Sequence, residues 1–359
     1  MSLFKDFYRG KRVLVTGHTG FKGAWLSFWL KQLGADVHGL AMPAPTNPSL
    51  HHAINSHTFT REDISDMRIH SVVHDVVQKL NPEVVFHLAA QSLVLKSYTE
   101  PVTTFEVNTM SLIHLLESIK STNAKCSTVV VTSDKCYENL NIPYGYREGD
   151  RLGGFDPYSC SKATCEMLVD CWRRSYHIPR MATARGGNVI GGGDYAPNRI
   201  VPDCIRALNE GTKIKVRNPQ HVRPWQHVLD CLSGYLWLGA RLHEEPRLES
   251  PFNFGPDAYS VRPVQDLVQR ICEIWPGEWT LAEEKGAYRH EANTLTLSTD
   301  KAAHMLQWRP VWDFNRAVGE TVSWYYTRHR IDGNMPQATL LQIEEYVECA
   351  KEKGLEWTK

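Results

Sequence analysis

Apolar and polar positions near the start of the chain predict a strand, a helix and a second strand. Residues 11–16 form an apolar run of strand length. Residues 24–33 carry large apolar side chains along one helical stripe, and Gly34 is a natural stop for that helix. Residues 36–40 predict the next strand. This order is typical of one unit of a parallel α/β sheet.

The same alternation continues as far as residue 185. Short runs rich in β-branched residues predict strands, and longer segments with helical periodicity predict helices. The strands are predicted at residues 58–64, 84–90, 127–132 and 180–185, and the helices at residues 65–80, 102–120 and 158–176. Alternating elements of this size predict the α/β class, with a Rossmann-like, doubly wound parallel sheet.

The pattern changes after residue 185. Residues 186–197 are a glycine-rich loop of the length used for function, and short segments with Pro and Gly follow. We therefore expect a Rossmann domain over residues 1–185 and a smaller, mainly substrate-binding α/β region over residues 186–359, some of whose segments can return to the first domain. A charged surface helix is expected over residues 344–353.

Charge and composition exclude several classes of partner. Lys+Arg and Asp+Glu are both 40, so the net charge is zero and does not favour nucleic-acid or anionic-membrane binding. No apolar run of membrane-spanning length occurs, and the N-terminus does not resemble a secretory signal. We expect a cytoplasmic protein without nucleic-acid or membrane partners.

Cysteine and histidine spacings do not predict a metal centre. The nine cysteines include no CxxC pair, so we expect reduced thiols, buried at Cys126, Cys160, Cys165 and Cys171. Two histidines at i, i+4 spacing, residues 70 and 74, have neither a glutamate between them nor a third ligand nearby. A solvated helix face is the expected role of that pair, and no metal site is expected.

A glycine motif lies between the first strand and the first helix. Gly17 permits a tight turn, Gly20 lets backbone amides approach a pyrophosphate, and Gly23 lets the helix sit close to the sheet. The helix N-terminus adds a favourable partial charge for phosphates. The segment 17–23, which includes His18, Phe21 and Lys22, is therefore expected to hold a dinucleotide.

Reactive side chains occur at two places: directly after the fifth strand and in the first turns of the next helix. Ser133, Asp134 and Lys135 come directly after a buried strand, at the edge of the sheet where ligands bind. Tyr158 and Lys162 are four positions apart and hence lie on one helix face. These five residues form a plausible set for combined redox and acid/base chemistry.

Motifs along nearly the whole chain resemble one enzyme family. TGHTGFKG, FHLAAQS, TSDK, YSCSK and the later loops NVIGGGDYAPNRIVPD and VRPWQHVLD are similar to the extended short-chain dehydrogenases/reductases. Within that family, GHTGFKG, PTNPSL, TSDKCYEN and RGGNVIGGGD most resemble the nucleotide-sugar 4,6-dehydratases, in particular the branch that acts on CDP-glucose.

The resemblance implies a three-part reaction on tightly held NAD. Hydride leaves C4 of the sugar, water is eliminated across C5 and C6, and hydride returns to C6. The implied product is CDP-4-dehydro-6-deoxy-glucose, a precursor of deoxysugars in surface polysaccharide such as O-antigen. The implied class is a lyase.

Elementary chemistry supports a role for each catalytic candidate. Removing the proton of an alcohol promotes hydride loss, and Lys162 together with the oxidised nicotinamide would lower the pKa of Tyr158 towards that task. Ser133 would orient the alcohol. Asp134, kept protonated by a dry pocket, is the candidate acid for the departing C6 hydroxyl.

Lys135 has two possible roles. The better-known branch that acts on dTDP-glucose has Glu at this position. One possibility is that burial and neighbouring cations make Lys135 the base that removes the C5 proton. The other is that Lys135 stays charged and stabilises the enolate while the base lies elsewhere.

The cofactor contacts follow the family pattern with two departures. His18 stands where many relatives have glycine, and its ring could crowd the pyrophosphate. No acid follows the second strand to hold the ribose, and no Arg is there for a 2′-phosphate, so NAD is expected with weaker retention than in relatives. Lys22 could compensate or face solvent. Further cofactor contacts are expected at strand ends, from Asp63, Ile64, Leu88, Ala89 and Ala90.

Substrate contacts are implied mainly by the resemblance. Asn188, Arg199 and Arg223 match substrate-contacting positions in related enzymes, and an Arg suits a pyrophosphate through bidentate hydrogen bonds. Gln91 is a weaker candidate for a sugar hydroxyl. The family also implies a homo-oligomer, a dimer or tetramer, formed through the helices at 102–120 and 158–176.

Two alternatives remain open at this stage. A nucleotide-sugar 4-epimerase would also oxidise C4, but it would not need Asp134 and Lys135. A non-catalytic NAD(H)-sensing protein would bind the cofactor without turnover, although the presence of Ser133, Tyr158 and Lys162 argues against it.

Overall fold

Seven parallel strands form the central sheet of the computed structural model, which describes residues 3–54, 58–282 and 294–359. The strands of the described residues, numbered in chain order, are β1 (Arg12–Thr16), β2 (Asp36–Ala41), β3 (Arg61–Ile64), β4 (Val84–His87), β5 (Ser127–Val131), β6 (Met181–Arg185), β7 (Val189–Ile190), β8 (Ile214–Val216), β9 (Val222–Pro224), β10 (Gln226–His227), β11 (Phe252–Asn253), β12 (Val261–Pro263) and β13 (Trp279–Leu281). The sheet order is β11-β6-β5-β4-β1-β2-β3, which confirms the predicted doubly wound α/β fold.

Helices connect these strands and cover both faces of the sheet. They are α1 (Phe21–Gln32), α2 (Leu50–Ile54), α3 (His70–Leu80), α4 (Val94–Thr99), α5 (Pro101–Phe105), α6 (Ser111–Thr122), α7 (Pro157–Tyr176), α8 (Ile200–Glu210), α9 (Val228–Leu242), α10 (Val264–Ile274), α11 (Phe314–Tyr326) and α12 (Met335–Glu352). No helix among the described residues is both long enough and apolar enough to span a membrane.

The buried strands divide their side chains between two cores. In β5, Val129 and Val131 join a core that contains α1, α9, α11 and α12, whereas Val130 joins a core with α3, α6 and α7. Successive strand residues point to opposite faces, so a continuous apolar run is what a sheet covered on both sides requires.

The parallel register brings the strand ends together. Thr16 at the end of β1 is paired with Leu40 of β2 and with His87 of β4, and Val131 of β5 is paired with Ala184 of β6. The segments that follow β1, β4 and β5 therefore leave the sheet at the same edge, where the predicted functional residues begin.

The later part of the chain adds small sheets and also returns to the central one. Strands β7 and β10, β9 and β12, and β8 and β13 form three two-stranded sheets. Strand β11 instead pairs with β6 at the edge of the seven-stranded sheet. Its Asn253 accepts a hydrogen bond from Tyr137 and donates to the backbone oxygens of Tyr146 and Ser298.

Local interactions move several predicted boundaries. The helix predicted from residue 65 begins at His70, because Asp66 accepts hydrogen bonds from the backbone and side chain of Arg68 and Ile69 is extended. The helix predicted over 102–120 is α5 and α6 joined by a π-helical turn, Glu106–Met110.

The cysteines are free thiols, as predicted, but only some of those predicted to be buried are buried. All nine cysteines are free. Cys126 and Cys165 are buried as expected, but Cys160 and Cys171 are exposed, so that expectation is wrong for these two. They face outward from α7, whose other side packs on the sheet.

Candidate active site

Helix α7 begins with a cap that fixes the position of Tyr158. Asp156 is the N-cap and accepts hydrogen bonds from the backbone N (2.9 Å) and the hydroxyl (2.6 Å) of Ser159. Pro157 occupies the first helical position, where its fixed φ suits the helix and its missing N–H costs nothing. Tyr158 is therefore held in the first turn, at the sheet edge described above.

The Tyr158 phenol is buried beside Ser133. Burial raises the pKa of Tyr158 to about 12, while a hydrogen bond with Ser133 and the Arg199 cation oppose that increase. Asp134 acts with burial in raising this pKa. Without a further cation beside it, the phenol of Tyr158 is therefore protonated near neutral pH.

Lys162 lies one turn after Tyr158 on α7 and contacts the end of β5. Its buried ammonium donates to the backbone oxygen of Val131 at 3.2 Å, and burial lowers its pKa. The role predicted for Lys162, to favour the phenolate of Tyr158 together with the oxidised nicotinamide, stays a prediction. Among the charged groups of the described chain, Asp134 and Arg199 act on Tyr158 most strongly.

Asp134 is shielded from solvent just after the end of β5. The residue is 1% exposed and opens a short 3-10 turn that follows Ser133. One carboxylate oxygen accepts from the Ser133 hydroxyl at 2.9 Å and the other from the Asn188 amide at 3.1 Å. Gly187 packs against this carboxylate so closely that a Cβ there would lie 2.0 Å from its carbon.

Lys135 is less buried than expected. It is half-buried, whereas its neighbours Asp134 and Cys136 are buried. Its backbone N donates to the Ser133 hydroxyl, which caps the turn. The protein alone therefore does not provide the full burial that we expected to make this side chain a base.

Sequence reasoning missed a buried ion pair behind the site. Glu166 and Arg185 are 2.8 Å apart with almost no exposure, and Glu166 also accepts hydrogen bonds from Thr132 and Thr183. Thr132 directly precedes Ser133, so the pair fixes the end of β5. The position of Glu166, four residues after Lys162 on α7, was the signal that could have revealed it.

The glycine turn has the close approaches that the motif predicts. Gly17 has φ of +73°, and a Cβ on it would lie 2.6 Å from the Ala89 nitrogen. A Cβ on Gly23 would lie 2.2 Å from the Gly17 oxygen, so α1 approaches the turn at backbone contact distance. Gly20 is the N-cap of α1 and provides no side-chain cap, which leaves the first amides of the helix for an anion.

His18 points into the protein between β2 and β3. Its buried ring packs on Gly39, where a Cβ would lie 2.6 Å from the ring, and its Nε2 lies 2.8 Å from a Glu62 oxygen. Burial lowers the pKa of His18, although Glu62 opposes this effect. The ring that we expected to crowd the pyrophosphate is thus held against the sheet.

The structure also places the other predicted cofactor residues. The Lys22 ammonium is 5.9 Å from the Tyr235 ring centre, and burial together with Lys162 and Arg199 lowers its pKa, so it faces the catalytic group. Phe21 opens α1 and is half-buried. The remaining residues lie at strand ends, with Asp63 and Ile64 closing β3 and Leu88, Ala89 and Ala90 following β4.

The four predicted substrate residues have different surroundings. Arg199 bridges Asp194 (2.8 Å) and Ser92 (2.9 Å) near Tyr158, and Asn188 contacts Asp134. The Gln91 amide is used by Leu93 in its own loop and by Thr104 on α5. Arg223 is buried in β9, where its guanidinium donates to the backbone oxygen of Val222.

Comparison with known proteins identifies the family. The family model for GDP-mannose 4,6 dehydratase matches residues 14–321. The chain therefore belongs to the GDP-mannose 4,6 dehydratase family, and the expectation of a dehydratase, a hydro-lyase, is confirmed. In particular, it is 41% identical over 332 residues to the CDP-glucose 4,6-dehydratase of Salmonella typhimurium, covering 89% of this chain and 92% of that protein. A dTDP-glucose 4,6-dehydratase of Haemophilus influenzae is 24% identical over 87% of this chain and 97% of its own.

Solved structures share the fold. A dTDP-glucose 4,6-dehydratase from Streptomyces venezuelae, crystallised with NAD, superposes with a TM-score of 0.76 at 22% identity and covers 89% of this chain and 97% of its own. An epimerase from Methanothermobacter thermautotrophicus gives a TM-score of 0.78 at 22% identity, with coverage of 91% and 96%. Because dehydratases and epimerases both match, the fold alone does not distinguish the two reactions.

Proposed function

We propose that this chain converts CDP-glucose into CDP-4-dehydro-6-deoxy-glucose, with NAD as its cofactor. The observation that carries the proposal is the pairing of Ser133 and Tyr158 with a buried Asp134, in a chain 41% identical to a CDP-glucose 4,6-dehydratase. The first two residues serve oxidation at C4, and the third serves the loss of water.

The glycine turn fits a dinucleotide. Close backbone contacts at Gly17 and Gly23 leave no room for side chains, and the free amides at the start of α1 suit a pyrophosphate. Lys22 adds a cation on the same side as Tyr158. Bound NAD would accept the hydride from C4 and return it to C6.

Tyr158 is the proposed base for the C4 hydroxyl. Because burial raises its pKa, the phenol needs nearby cations to lose its own proton, and only the resulting phenolate can accept the proton of the C4 hydroxyl. Arg199, Lys162 and the oxidised nicotinamide are the proposed cations. Ser133 orients the alcohol and shares the hydrogen-bond network of Asp134. Lys162 supports the end of β5 through Val131.

Asp134 is the proposed acid for the C6 hydroxyl, since it is buried and its carboxyl group is held in position by Ser133 and Asn188. Lys135 is the proposed base for the C5 proton, and bound substrate would have to complete its desolvation. The alternative role, in which a charged Lys135 stabilises the enolate, fits its half-buried position equally well.

Substrate placement and assembly are further parts of the proposal. Arg199 and Asn188 lie beside the catalytic group and are stronger candidates for sugar or phosphate contacts than Gln91, whose amide already bonds Leu93 and Thr104. Arg223 remains a proposed pyrophosphate contact. We also propose a homo-oligomer, a dimer or tetramer, through the helices α5 to α7, where Val102 and Met167 are 70% and 55% exposed. Nine free thiols suit the proposed cytoplasmic location.

A substrate screen tests the proposed function. The full chain with NAD is incubated with CDP-, dTDP-, UDP- and GDP-glucose, and products are analysed by mass spectrometry while NADH is followed by absorbance. We expect loss of one water from CDP-glucose without net NADH. A product of unchanged mass would indicate an epimerase, and binding of NAD without turnover would indicate a sensor.

A further inference from the structure

Three potential metal ligands converge beside the glycine turn. His18 follows Gly17, His51 lies on α2 and Glu62 lies on β3. The Nε2 atoms of the two histidines lie 2.8 Å and 2.5 Å from the same Glu62 oxygen, and all three donor atoms are within 4.8 Å of one another. No other group of three or more such residues meets that criterion among the described residues.

We propose that His18, His51 and Glu62 form a binding site for one divalent transition-metal ion of the zinc class. Two imidazoles and one carboxylate are a common ligand set for zinc, with a fourth position left for water. The proposal does not depend on which sugar nucleotide the chain binds.

The distances require only a small adjustment. Zinc–ligand bonds of about 2.0–2.2 Å in a tetrahedral site place the donor atoms roughly 3.4 Å apart. The two histidine–carboxylate distances would therefore open by less than about 1 Å, and the distance between the two histidine nitrogens, at most 4.8 Å, would close by up to about 1.4 Å. Glu62 is the flexible member and is 23% exposed, whereas the two histidine side chains are 0% and 8% exposed. The cation and its water would enter from the Glu62 side.

The surroundings hold the two rings in place. His18 packs on Gly39 and lies edge-on to Phe59, with ring centres 4.8 Å apart. His51 is 5.5 Å from His18 by ring centres and is also close to Phe59. By contrast, the pair His70 and His74 on α3 belongs to no such group of three in the described chain, and His70 is exposed.

The outer nitrogens set a limit on the affinity. His51 Nδ1 has no hydrogen-bond partner among the described residues, and His18 has the backbone of Leu40 as a weak partner. Ligating histidines usually donate a hydrogen bond from that nitrogen, and losing such support weakens binding roughly 10- to 100-fold. We therefore expect binding that is weaker than at a structural zinc centre, with a dissociation constant on the order of micromolar.

Metal titration of the untagged full chain tests the site. After chelator treatment and desalting, zinc sulfate is titrated by calorimetry and cobalt chloride by visible absorption, which reports tetrahedral coordination. We expect one equivalent to bind to the wild type, and Glu62→Gln and His51→Ala to weaken the affinity at least about tenfold. His52→Ala, an exposed neighbour on α2, is the matched control and should bind as the wild type does.

Thermal unfolding separates loss of the site from loss of the fold. Zinc should raise the Tm of the wild type and of His52→Ala, but not that of Glu62→Gln, whose side chain has the same shape as the original. Equal zinc affinity in the wild type and Glu62→Gln would overturn the proposal. So would the absence of stoichiometric binding to the folded wild type.

Discussion

The side-chain amide of Asn188 donates a hydrogen bond to Asp134 across 54 positions of the chain, with Nδ2 and Oδ2 3.1 Å apart. Asn188 has φ of +51°, a left-handed conformation that Asn tolerates better than most residues. The bond thus depends on a backbone shape that presents this amide to a buried carboxylate.

Replacing Asn188 should slow the elimination step. Asn188→Gly keeps the left-handed backbone and removes the amide, so we expect kcat to fall roughly 10- to 100-fold as Asp134 loses its orientation. NADH should accumulate in single-turnover absorbance measurements, because oxidation precedes elimination. Asn198→Gly, an exposed residue of the same loop with φ of +63°, is the control. An increase in KM with unchanged kcat would instead make Asn188 a substrate ligand only.

Removing the Arg199 cation should shift the pH dependence. Arg199 lowers the pKa of Tyr158, so Arg199→Gln should raise it, and the fraction of phenolate at neutral pH should fall. The rising limb of the kcat/KM profile should therefore move to higher pH, with activity recovered as the pH increases. Arg206→Gln, which removes an ion pair with Asp203 on the same helix, is the control. A loss of equal size at every pH would show that Arg199 acts through binding alone.

Lys135 can be tested by isotope exchange. We predict that Lys135→Met abolishes uptake of solvent deuterium at C5, measured by mass spectrometry or NMR of the product in D2O. Ser133 and Tyr158 are unchanged in this variant, so reduction of the bound cofactor should persist. Exchange at the wild-type rate would favour the enolate-stabilising role.

Gly23 and Gly319 provide a matched pair of helical glycines. Ala is favoured over Gly in a helix by about 0.8–1 kcal/mol, so Gly319→Ala, with nothing within 4 Å, should stabilise the protein by up to that amount. Gly23→Ala should instead destabilise it by roughly 1–3 kcal/mol, because its Cβ would meet the Gly17 oxygen. Urea unfolding measures both changes, and NAD binding should be lost only in Gly23→Ala. Stabilisation by Gly23→Ala would contradict the close-approach argument.

NAD should be only partly retained through purification. Strand β2 ends at Leu40 and Ala41, so no acid is available there for the ribose hydroxyls. Protein purified without added NAD should carry clearly less than one equivalent, measured by chromatography of the cofactor released on denaturation. A full complement would contradict this expectation.

The sequence predicted the central sheet well, because each strand carries its own pattern. The run at Ser127–Val131 is apolar over strand length, and its polar continuation marks the sheet edge. The same logic located Ser133 and Asp134. By contrast, β11 is only two residues long and lies among Pro and Gly, so its place beside β6 arises from tertiary contacts alone.

The unpredicted parts of the site depend on contacts between distant segments. His18 and Glu62 are 44 positions apart, and neither has a local motif that would reveal their contact. The hydrogen bond from Lys162 to the Val131 oxygen was also not predictable from spacing, because it joins α7 to a strand 31 positions earlier in the chain. Helix spacing defines a shared face but not the partner of each side chain on it.

Strand β11 also bears on how the protein is made. Until Phe252 and Asn253 have been synthesised, β6 is an edge strand with unpaired backbone groups, although residues 1–185 already contain the other six strands. At about 5–20 residues per second, synthesis of residues 186–251 takes several seconds. During that interval the nascent chain exposes a strand edge that can pair with another chain. Misassembly would therefore begin between nascent chains on neighbouring ribosomes of the same messenger RNA.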